Sequence, residues 1–355
     1  MIIPEIQRCE EFTFYGGWSG FAVPAHYFGG SFAFPHLHTL ITNASFTILL
    51  EEYGLARTFS WFSHALKNAP KLVTVESLNV VPSELFPCHQ LTTVRSGRLE
   101  VTEMARILLS CSNLKKLVVD TLSDDGPPPD VIVHSSLREL TIRTPPDWLV
   151  EIVNSLAQFS LPALQMFELD ISGDSDEVQV PTGLTSAVVA AIQCFSASLR
   201  KLVLMVGARD IDRTLCRDVL QICPDLYCFG FKVYAVHPED DSGTENRILH
   251  LIQDLTITDT SQAFLAPKLV ELCLLEFDSR MTAEYATTFL DMVESRSAAV
   301  GVTRLMDAEL QYFHDWELQP GPNHIDTCIS DSSIVERIEV LSRKGIHCAI
   351  VSIDD

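Results

Sequence analysis

The sequence Leu114-Lys-Lys-Leu117-Val-Val119 decides the fold, because its pattern, LxxLxL, recurs along the chain. The apolar residues at the fourth and sixth positions lie two apart, which is typical of a β-strand with one buried face. Strong copies begin at Leu114, Leu137, Leu164, Leu199, Leu226, Ile252 and Leu269, and weaker copies begin at Cys9, Leu37, Leu72 and Leu91. From Leu91 onward, successive copies begin 17 to 35 residues apart. The chain is therefore predicted to be an array of repeated units.

Segments with helical spacing lie between the strand phrases. Their apolar residues recur every three or four positions over 101–108, 149–159, 184–195 and 211–222, and this spacing predicts a helix in each segment. A last helix is predicted to begin at Ser333, because Ser333 and Glu336 form a capping-box pattern. An apolar strand follows it at 346–350. We interpret residues 331–355 as a C-terminal cap.

Alternation of a strand and a helix in units of about 20–29 residues is the pattern of leucine-rich repeats. One such unit cannot bury its apolar face alone, so neighbouring units have to stack. The sequence therefore predicts an α/β fold, a leucine-rich-repeat solenoid with the shape of a curved horseshoe. Its strands are expected on the concave face and its helices on the convex face. We expect a single domain over residues 1–355, with about 10–11 irregular repeats.

Composition narrows the range of partners. The chain has 355 residues, of which 47% are hydrophobic, and its formal net charge is -22. Because affinity for phosphate requires a cationic surface, this acidity argues against nucleic acid and against anionic membranes as partners. The sequence also has no apolar run of the roughly 18 residues needed to cross a bilayer, and its first residues lack the basic region of a signal peptide. We expect a monomer in the cytoplasm or nucleus, with its 10 cysteines reduced.

No pattern typical of catalysis, cofactor binding or metal binding is found. Gly17-Trp-Ser-Gly20 lacks the GxSxG register of a nucleophile elbow, and neither a Walker loop nor GxGxxG occurs. Cys216, Cys223 and Cys228 do not have a zinc-site spacing. The sequence therefore predicts a protein that is not an enzyme and that needs no cofactor or metal. An enzyme with an unrecognised site remains an alternative, because a fold does not exclude a function.

The outward side chains of the predicted strands are the candidate binding residues. If the leucines of each phrase point inward, the residues between them point outward. This outward set combines mixed charge with an apolar group, which suits a protein partner. The candidate protein-binding residues are Lys116, Val118, Glu139, Thr141, Arg143, Met166, Glu168, Lys201, Val203, Met205, Lys232, Asp254, Thr256, Glu271, Cys273 and Leu275.

Two helix-end phrases carry a family resemblance. LLSCSNLKKL at 108–117 and VLQICPDLYCF at 219–229 resemble the phrase LLxxCPNLxxL of F-box leucine-rich-repeat proteins of the fungal type. The resemblance implies a repeat region that recruits substrates to a cullin-based ubiquitin ligase. It also implies docking on the adaptor of that ligase, provided that an F-box precedes Met1.

An F-box itself is not found in the sequence. The segment most similar to the start of an F-box is Val81-Pro-Ser-Glu-Leu-Phe86. It is followed by Pro87, and proline does not allow a helix to continue there. We therefore expect either a chain that has lost its F-box or a repeat protein that functions without one. The alternative function is that of an acidic leucine-rich-repeat inhibitor or scaffold, unrelated to ubiquitin, which captures a basic protein by electrostatic steering.

Overall fold

The structure is a computed structural model that describes residues 8–14, 33–42, 60–77, 86–128, 130–171, 183–207, 214–234, 247–258, 264–276, 283–313 and 332–353. The chain divides into two compact units. The first contains residues 1–144 and 151–164, and the second contains residues 145–150 and 165–355. Three features singled out in the sequence, Gly17–Gly20, 81–85 and Ile211, lie outside the described residues.

The first unit is built on six parallel strands. Its elements, in chain order, are β1 Glu11–Phe14, β2 Thr39–Thr42, α1 Ser60–Lys67, β3 Thr74–Ser77, β4 Thr93–Ser96, β5 Leu99–Glu100, α2 Val101–Ser110, β6 Lys116–Val119, β7 Leu122–Ser123, β8 Ile132–Val133, β9 Glu139–Arg143 and β10 Phe159–Ser160. The main sheet has the order β1-β2-β3-β4-β6-β9. Two short pairs, β5 with β7 and β8 with β10, are also parallel. Between β9 and β10 lies helix α3, Pro146–Leu156, whose first residues belong to the second unit.

The second unit repeats the same arrangement with longer elements. Its elements, in chain order, are β11 Met166–Asp170, α4 Leu184–Gln193, β12 Lys201–Gly207, α5 Leu215–Ile222, β13 Cys228–Tyr234, α6 Arg247–Leu255, β14 Glu271–Glu276, α7 Ala283–Ala298, β15 Asp307–Phe313, α8 Ser332–Arg343 and β16 His347–Ile353. The strands follow one another in the order β11-β12-β13-β14-β15-β16, and every neighbouring pair is parallel. The predicted α/β class is confirmed; the assignment to one leucine-rich-repeat domain stays a prediction.

The leucines of the repeated phrase form the core of both units. Leu114, Leu117 and Val119 are fully buried, and so are Leu199, Leu202 and Leu204. The side chains between them are more exposed, as the alternating burial of β6 and β12 shows. Because burial of apolar surface is the main favourable contribution to folding, this regular placement explains why these two phrases form strands with one buried face.

Amide side chains connect successive turns in the first unit. The Gln90 amide donates hydrogen bonds to the carbonyl oxygens of Ala69 and Leu72, at 2.5 and 3.0 Å. One repeat later, the Asn113 amide donates to the carbonyl oxygen of His89 at 2.6 Å. Gln90 and Asn113 both directly precede the first leucine of a strand phrase. These bonds give backbone carbonyl groups of the connecting turns additional hydrogen bonds and join each turn to the one before it.

The strand predicted from the phrase at Ile252 is wrong, because residues 247–255 form helix α6. Ile248, Ile252 and Leu255 are buried with a helical spacing of four and three residues. A pair of apolar residues three apart fits one face of a helix as well as the start of the LxxLxL phrase. The segment therefore lies on the helix side of the unit rather than in its sheet.

Two elements near the C-terminus were not predicted. Helix α7 buries Tyr285, Phe289 and Val293 along one stripe. Strand β15 follows it and pairs with β14 and β16. The predicted last helix and last strand are present as α8 and β16. None of the helices in the described part of the chain is long and apolar enough to span a membrane.

Candidate protein-binding face

The outward side chains of the second unit's sheet lie in three rows. Strand register aligns them, because residues paired across parallel strands point to the same side of the sheet. We call the set the open face. Its rows are Met166, Lys201, Cys228, Glu271, Asp307 and His347; Glu168, Val203, Gly230, Cys273, Glu309 and Ala349; and Asp170, Met205, Lys232, Leu275, Gln311 and Val351.

The opposite side of this sheet is covered. Phe167, Leu202, Phe229, Leu274 and Leu310 point away from the open face, and each is at most 1% exposed. Helix α7 packs on β15 and helix α8 packs on β16 on that side. Most open-face side chains are half-buried or exposed. The open face is therefore the side of the sheet that is available for binding.

Acidic side chains dominate the open face. Its carboxylates are Glu168, Asp170, Glu271, Asp307 and Glu309, whereas its lysines are Lys201 and Lys232. Among the described residues, neither lysine lies within ion-pair distance of a carboxylate. Glu309 accepts a hydrogen bond from the Gln311 amide at 2.8 Å, which leaves its charge uncompensated. The open face thus presents charged groups that a partner can pair with.

The charged side chains on the sheet of the first unit, by contrast, pair with one another. Asp120 accepts hydrogen bonds from Arg95 at 2.9 and 3.1 Å and from Arg143 at 2.9 Å. Hydrogen bonding to Asp120 raises the pKa of Arg95. Lys116 Nζ lies 3.2 Å from a carboxylate oxygen of Glu139. The predicted binding residues Lys116, Glu139 and Arg143 therefore already have internal partners.

Replacing Asp120 by alanine is expected to lower the free energy of unfolding by about 1–2 kcal/mol, because two arginines lose a carboxylate that is mostly buried. The Asp120 side chain is only 16% exposed. Urea denaturation measures the change. Glu139→Ala is the matched control, since the pair with Lys116 is 45–47% exposed on both sides and contributes less than about 0.5 kcal/mol. Equal losses in the two variants would contradict this interpretation of the cluster.

The predicted apolar group is smaller than the sequence suggests. Both γ-carbons of Val203 lie 3.3 Å from the point where a Cβ on Gly230 would be, so the valine leans over the glycine. Val203 and Met205 remain half-buried, but Leu275 is 3% exposed and Thr141, in the first unit, is 9% exposed. Leu275 lies between Lys232 and Gln311 in its row. Leu275 and Thr141 are therefore not available for binding in this structure.

The two open-face cysteines are not activated nucleophiles. Burial raises the pKa of Cys228 to about 12 and also raises the pKa of Cys273. Both thiols are therefore protonated at neutral pH, whereas the reactive form of cysteine is the thiolate. Cys223, at the end of α5, behaves in the same way, because burial raises its pKa to about 12. These residues contribute to packing and to the neutral part of the face.

His347 gives one edge of the open face a charge that depends on pH. Its Nδ1 lies 2.8 Å from an Asp307 oxygen. This hydrogen bond raises the pKa of His347 above its ordinary value of 6.5, because it favours the charged imidazolium. The ion pair therefore contributes fully to the free energy of unfolding at a pH below the pKa that His347 has in the unfolded chain. This contribution is lost as the pH rises through the higher pKa that His347 has in the folded protein.

The Asp307→Asn variant is expected to lower the pKa of His347 toward that of an unpaired histidine. An NMR titration that follows the His347 ring protons in the wild type and in the variant measures the shift. The other histidines of the same protein provide internal controls, since the substitution should leave their titrations unchanged. An identical His347 midpoint in both proteins would show that the pair with Asp307 does not perturb its protonation.

Two predicted binding residues lie away from the open face. Asp254 is in helix α6 and Thr256 follows the end of that helix, because the strand predicted for this segment is wrong. Asp254 instead accepts hydrogen bonds from Arg217 of α5, with Nε at 3.2 Å from one carboxylate oxygen. Both Asp254 and Thr256 line a cavity on the helix side of the second unit.

The sequence reasoning also missed the part of the open face that β15 and β16 supply. Asp307, Glu309, Gln311 and His347 belong to this part. Leu305-Met-Asp-Ala308-Glu-Leu310 is an LxxLxL phrase in which alanine replaces the second leucine. Leu305, Ala308 and Leu310 are all fully buried. A search that accepted alanine at that position would have identified the strand.

Comparison with known proteins finds no family and gives weak structural likeness. No family model matches the chain, and no curated protein matches it. Among solved structures, a Bacteroides fragilis protein is similar with 11% sequence identity and a TM-score of 0.37. That likeness covers 90% of this chain and 68% of the other. It is too distant to carry an argument about fold or function.

Proposed function

We propose that the chain is a non-catalytic leucine-rich-repeat protein that binds a protein partner through the open face. The observation that carries the proposal is the contrast between the outward side chains on the main-sheet strands of the first unit and those of the second. Charges on the first unit's sheet are paired internally by Arg95, Asp120 and Arg143, whereas the lysines of the open face have no described ion-pair partner. Half-buried lysines without a described ion-pair partner can provide electrostatic complementarity for a second protein.

Support for the repeat assignment comes from the placement of the phrases. Ten of the eleven phrases found in the sequence coincide with parallel strands, and the phrase at Ile252 is the exception. The leucine positions are buried in the nine of these strands that follow β1, and side-chain bonds such as those of Gln90 and Asn113 join neighbouring turns. Stacked units that bury one continuous core are the physical basis of a solenoid.

The chemistry of the open face favours a basic segment of a protein as the partner. Five carboxylates stand on it against two lysines, and the whole chain carries a net charge of -22. An acidic surface of this kind accelerates encounter with a cationic partner and disfavours acidic ones. This observation supports the function of an acidic inhibitor or scaffold that captures a basic protein.

Recruitment of a substrate to a cullin-based ubiquitin ligase is the second candidate function. It is supported by the two phrases that resemble F-box leucine-rich-repeat proteins, at 108–117 and 219–229. In each, the cysteine forms the C-cap of a helix: Cys111 for α2 and Cys223 for α5. Each cysteine is buried where the chain turns into the next strand. Both candidate functions use the same binding face. They differ in the fate of the bound protein, which is inhibited or held in the first case and is brought to a ubiquitin ligase in the second.

Affinity capture of the tagged chain from extract of its own cells, at low and at high salt, tests the proposal. Recovery of the cullin adaptor together with a second protein would support substrate recruitment. Recovery of a basic protein that high salt releases, without the adaptor, would support the inhibitor or scaffold function, because screening weakens contacts between exposed charges. Recovery of no protein above the level of a tag-only control would contradict both.

A further inference from the structure

Helix α7 carries a charged residue on its buried stripe. Tyr285, Phe289 and Val293 follow one face of the helix, and Arg296 takes the next position of that face. The Arg296 side chain is 1% exposed. An apolar residue is expected at such a position, since removing a charged group from water is unfavourable. A departure from the local pattern at a fully buried position is typical of a functional or strained site.

The guanidinium group of Arg296 has neutral partners but no counter-charge among the described residues. Its Nη1 donates to the carbonyl oxygen of Leu265 at 3.2 Å, and its Nη2 donates to that of Ala266 at 2.8 Å. The buried Nε has no hydrogen-bond partner within the described part of the chain. Burial lowers the pKa of Arg296 to about 10, so the group is still charged at neutral pH. One donor and one positive charge are therefore left uncompensated.

The backbone that Arg296 holds is itself unusual. Ala266 has a φ of 41° and is the one residue other than glycine with a positive φ in the described part of the chain. This left-handed conformation is unfavourable for a residue with a Cβ. The two hydrogen bonds from Arg296 fix the turn at Leu265 and Ala266, and Leu265 forms part of the wall of the adjoining cavity.

Arg296 is one of the residues that line a cavity of about 380 Å³. This volume lies within the range of small-molecule sites and exceeds that of a single bound water many times. Its walls come from α5, α6, the turn after α6, the 264–265 turn and α7. Its polar lining includes Arg217, Gln221, Gln253, Asp254, Thr258 and Arg296.

Counted over its described lining residues, this cavity has a positive charge, whereas the chain is strongly acidic overall. Two arginines and one aspartate line it, and Arg217 forms a bidentate pair with Asp254. Since that pair is neutral, the charge of Arg296 remains. Gln221, Gln253 and Thr258 add exposed side chains that can donate hydrogen bonds. Arginine binds carboxylate and phosphate groups through charge-assisted hydrogen bonds, which are stronger than neutral ones.

We propose that this cavity binds a small molecule through an oxyanion group, a carboxylate or a phosphate, which pairs with Arg296. The anion supplies the counter-charge that the described protein residues do not supply. The remaining volume holds the rest of the ligand, in contact with Gln253, Leu255 and Thr258. This site is separate from the open face, so binding in the cavity does not depend on the protein partner.

Titration calorimetry on the full chain tests the proposal with two probes, sodium phosphate and sodium citrate, each against sodium chloride at constant ionic strength. Saturable binding of at least one probe at a single site is expected, with a matching rise in the thermal midpoint. Phosphate binding without citrate binding identifies a phosphate ligand, and the reverse identifies a carboxylate ligand. Absence of saturable binding of both probes would overturn the proposal.

Two variants and a control locate the site. Arg296→Gln is expected to weaken binding about tenfold or more, through loss of the positive charge that pairs with the anion. Because Arg296 also fixes the Leu265–Ala266 turn, its replacement can disturb the fold as well as the site. A second variant, Gln253→Trp, leaves Arg296 in place and fills the cavity with a large side chain from the exposed surface of α6. We expect it to weaken binding to the same extent. Arg343→Gln removes one exposed arginine of α8 and should change nothing. Wild-type affinity in Gln253→Trp would overturn the assignment, whether or not Arg296→Gln folds.

Discussion

Replacing Phe167 by alanine is expected to lower the free energy of unfolding by about 3–5 kcal/mol, the range for a fully buried aromatic side chain. Phe167 is 0% exposed and occupies the second leucine position of the phrase in β11. Its ring packs edge-on against Phe195, with ring centroids 5.4 Å apart and planes at 72°. The substitution removes this contact and leaves a cavity that the surrounding strands cannot fill.

Met166→Ala is the matched control for that substitution. Met166 directly precedes Phe167, but its side chain points to the open face and is half-buried. We expect a loss of less than about 1 kcal/mol there, because surface positions away from special features have small effects. Urea denaturation followed by circular dichroism measures both variants. Similar losses at the two positions would contradict the inward and outward assignment of this strand.

Reversing two charges on the open face is expected to weaken binding of the captured basic partner by about tenfold to a hundredfold, which corresponds to about 1.4–2.8 kcal/mol. The variant is Glu271→Lys with Glu309→Lys. These residues lie on neighbouring strands, in adjacent rows of the open face. Like charges across an interface disfavour association and reduce the association rate, so both the affinity and its salt dependence should fall.

The control for this variant makes the same change in net charge elsewhere. Glu336→Lys with Glu339→Lys alters two exposed residues of helix α8, on the helix side of the same unit. Because the overall charge changes equally in both variants, a difference in affinity reports the location of the binding surface. Surface plasmon resonance with the captured partner at two salt concentrations gives rates and affinities. Equal weakening in both variants would mean that net charge alone, and not the open face, determines binding.

The strands could be predicted from the sequence because burial repeats at fixed positions. In β6 and β12 the leucines are fully buried and the side chains between them are exposed or half-buried, as the phrase requires. Strand β15 was missed because Ala308 stands where leucine was expected, and α6 was mistaken for a strand because Ile252 and Leu255 fit both patterns. Two apolar residues three positions apart occur both on one face of a helix and at the start of the LxxLxL phrase. This spacing alone therefore cannot distinguish a helix from a strand.

The binding face was predictable only in part, for a different reason. The alternation of apolar and other residues along each strand predicts which side chains point away from the core. This was sufficient to place Glu168, Lys201 and Glu271 on the open face. It could not tell that Arg95 and Arg143 reach across their strands to Asp120, because that depends on side-chain conformation. The internal pairing of the first unit, which makes the second unit the better candidate, became evident from the distances.

Arg296 could not be recognised from the sequence because α7 itself was not predicted. Once the helix is known, its stripe of Tyr285, Phe289 and Val293 makes the arginine stand out. Its significance still depends on facts that the sequence does not contain: burial to 1% exposure, a donor without a described partner, and an adjoining cavity. These facts concern the packing of three helices, which no local pattern encodes.

Site-specific photo-cross-linking tests the central claim, that the open face binds the partner, most directly. A photoreactive phenylalanine analogue replaces Lys232, in the third row of the open face, or Glu336, on the outer surface of α8. The tagged chain is irradiated in extract of its own cells, and cross-linked products are identified by mass spectrometry. We expect a discrete cross-linked protein from position 232 and none from position 336. The same product from both positions, or a product from position 336 alone, would contradict this claim.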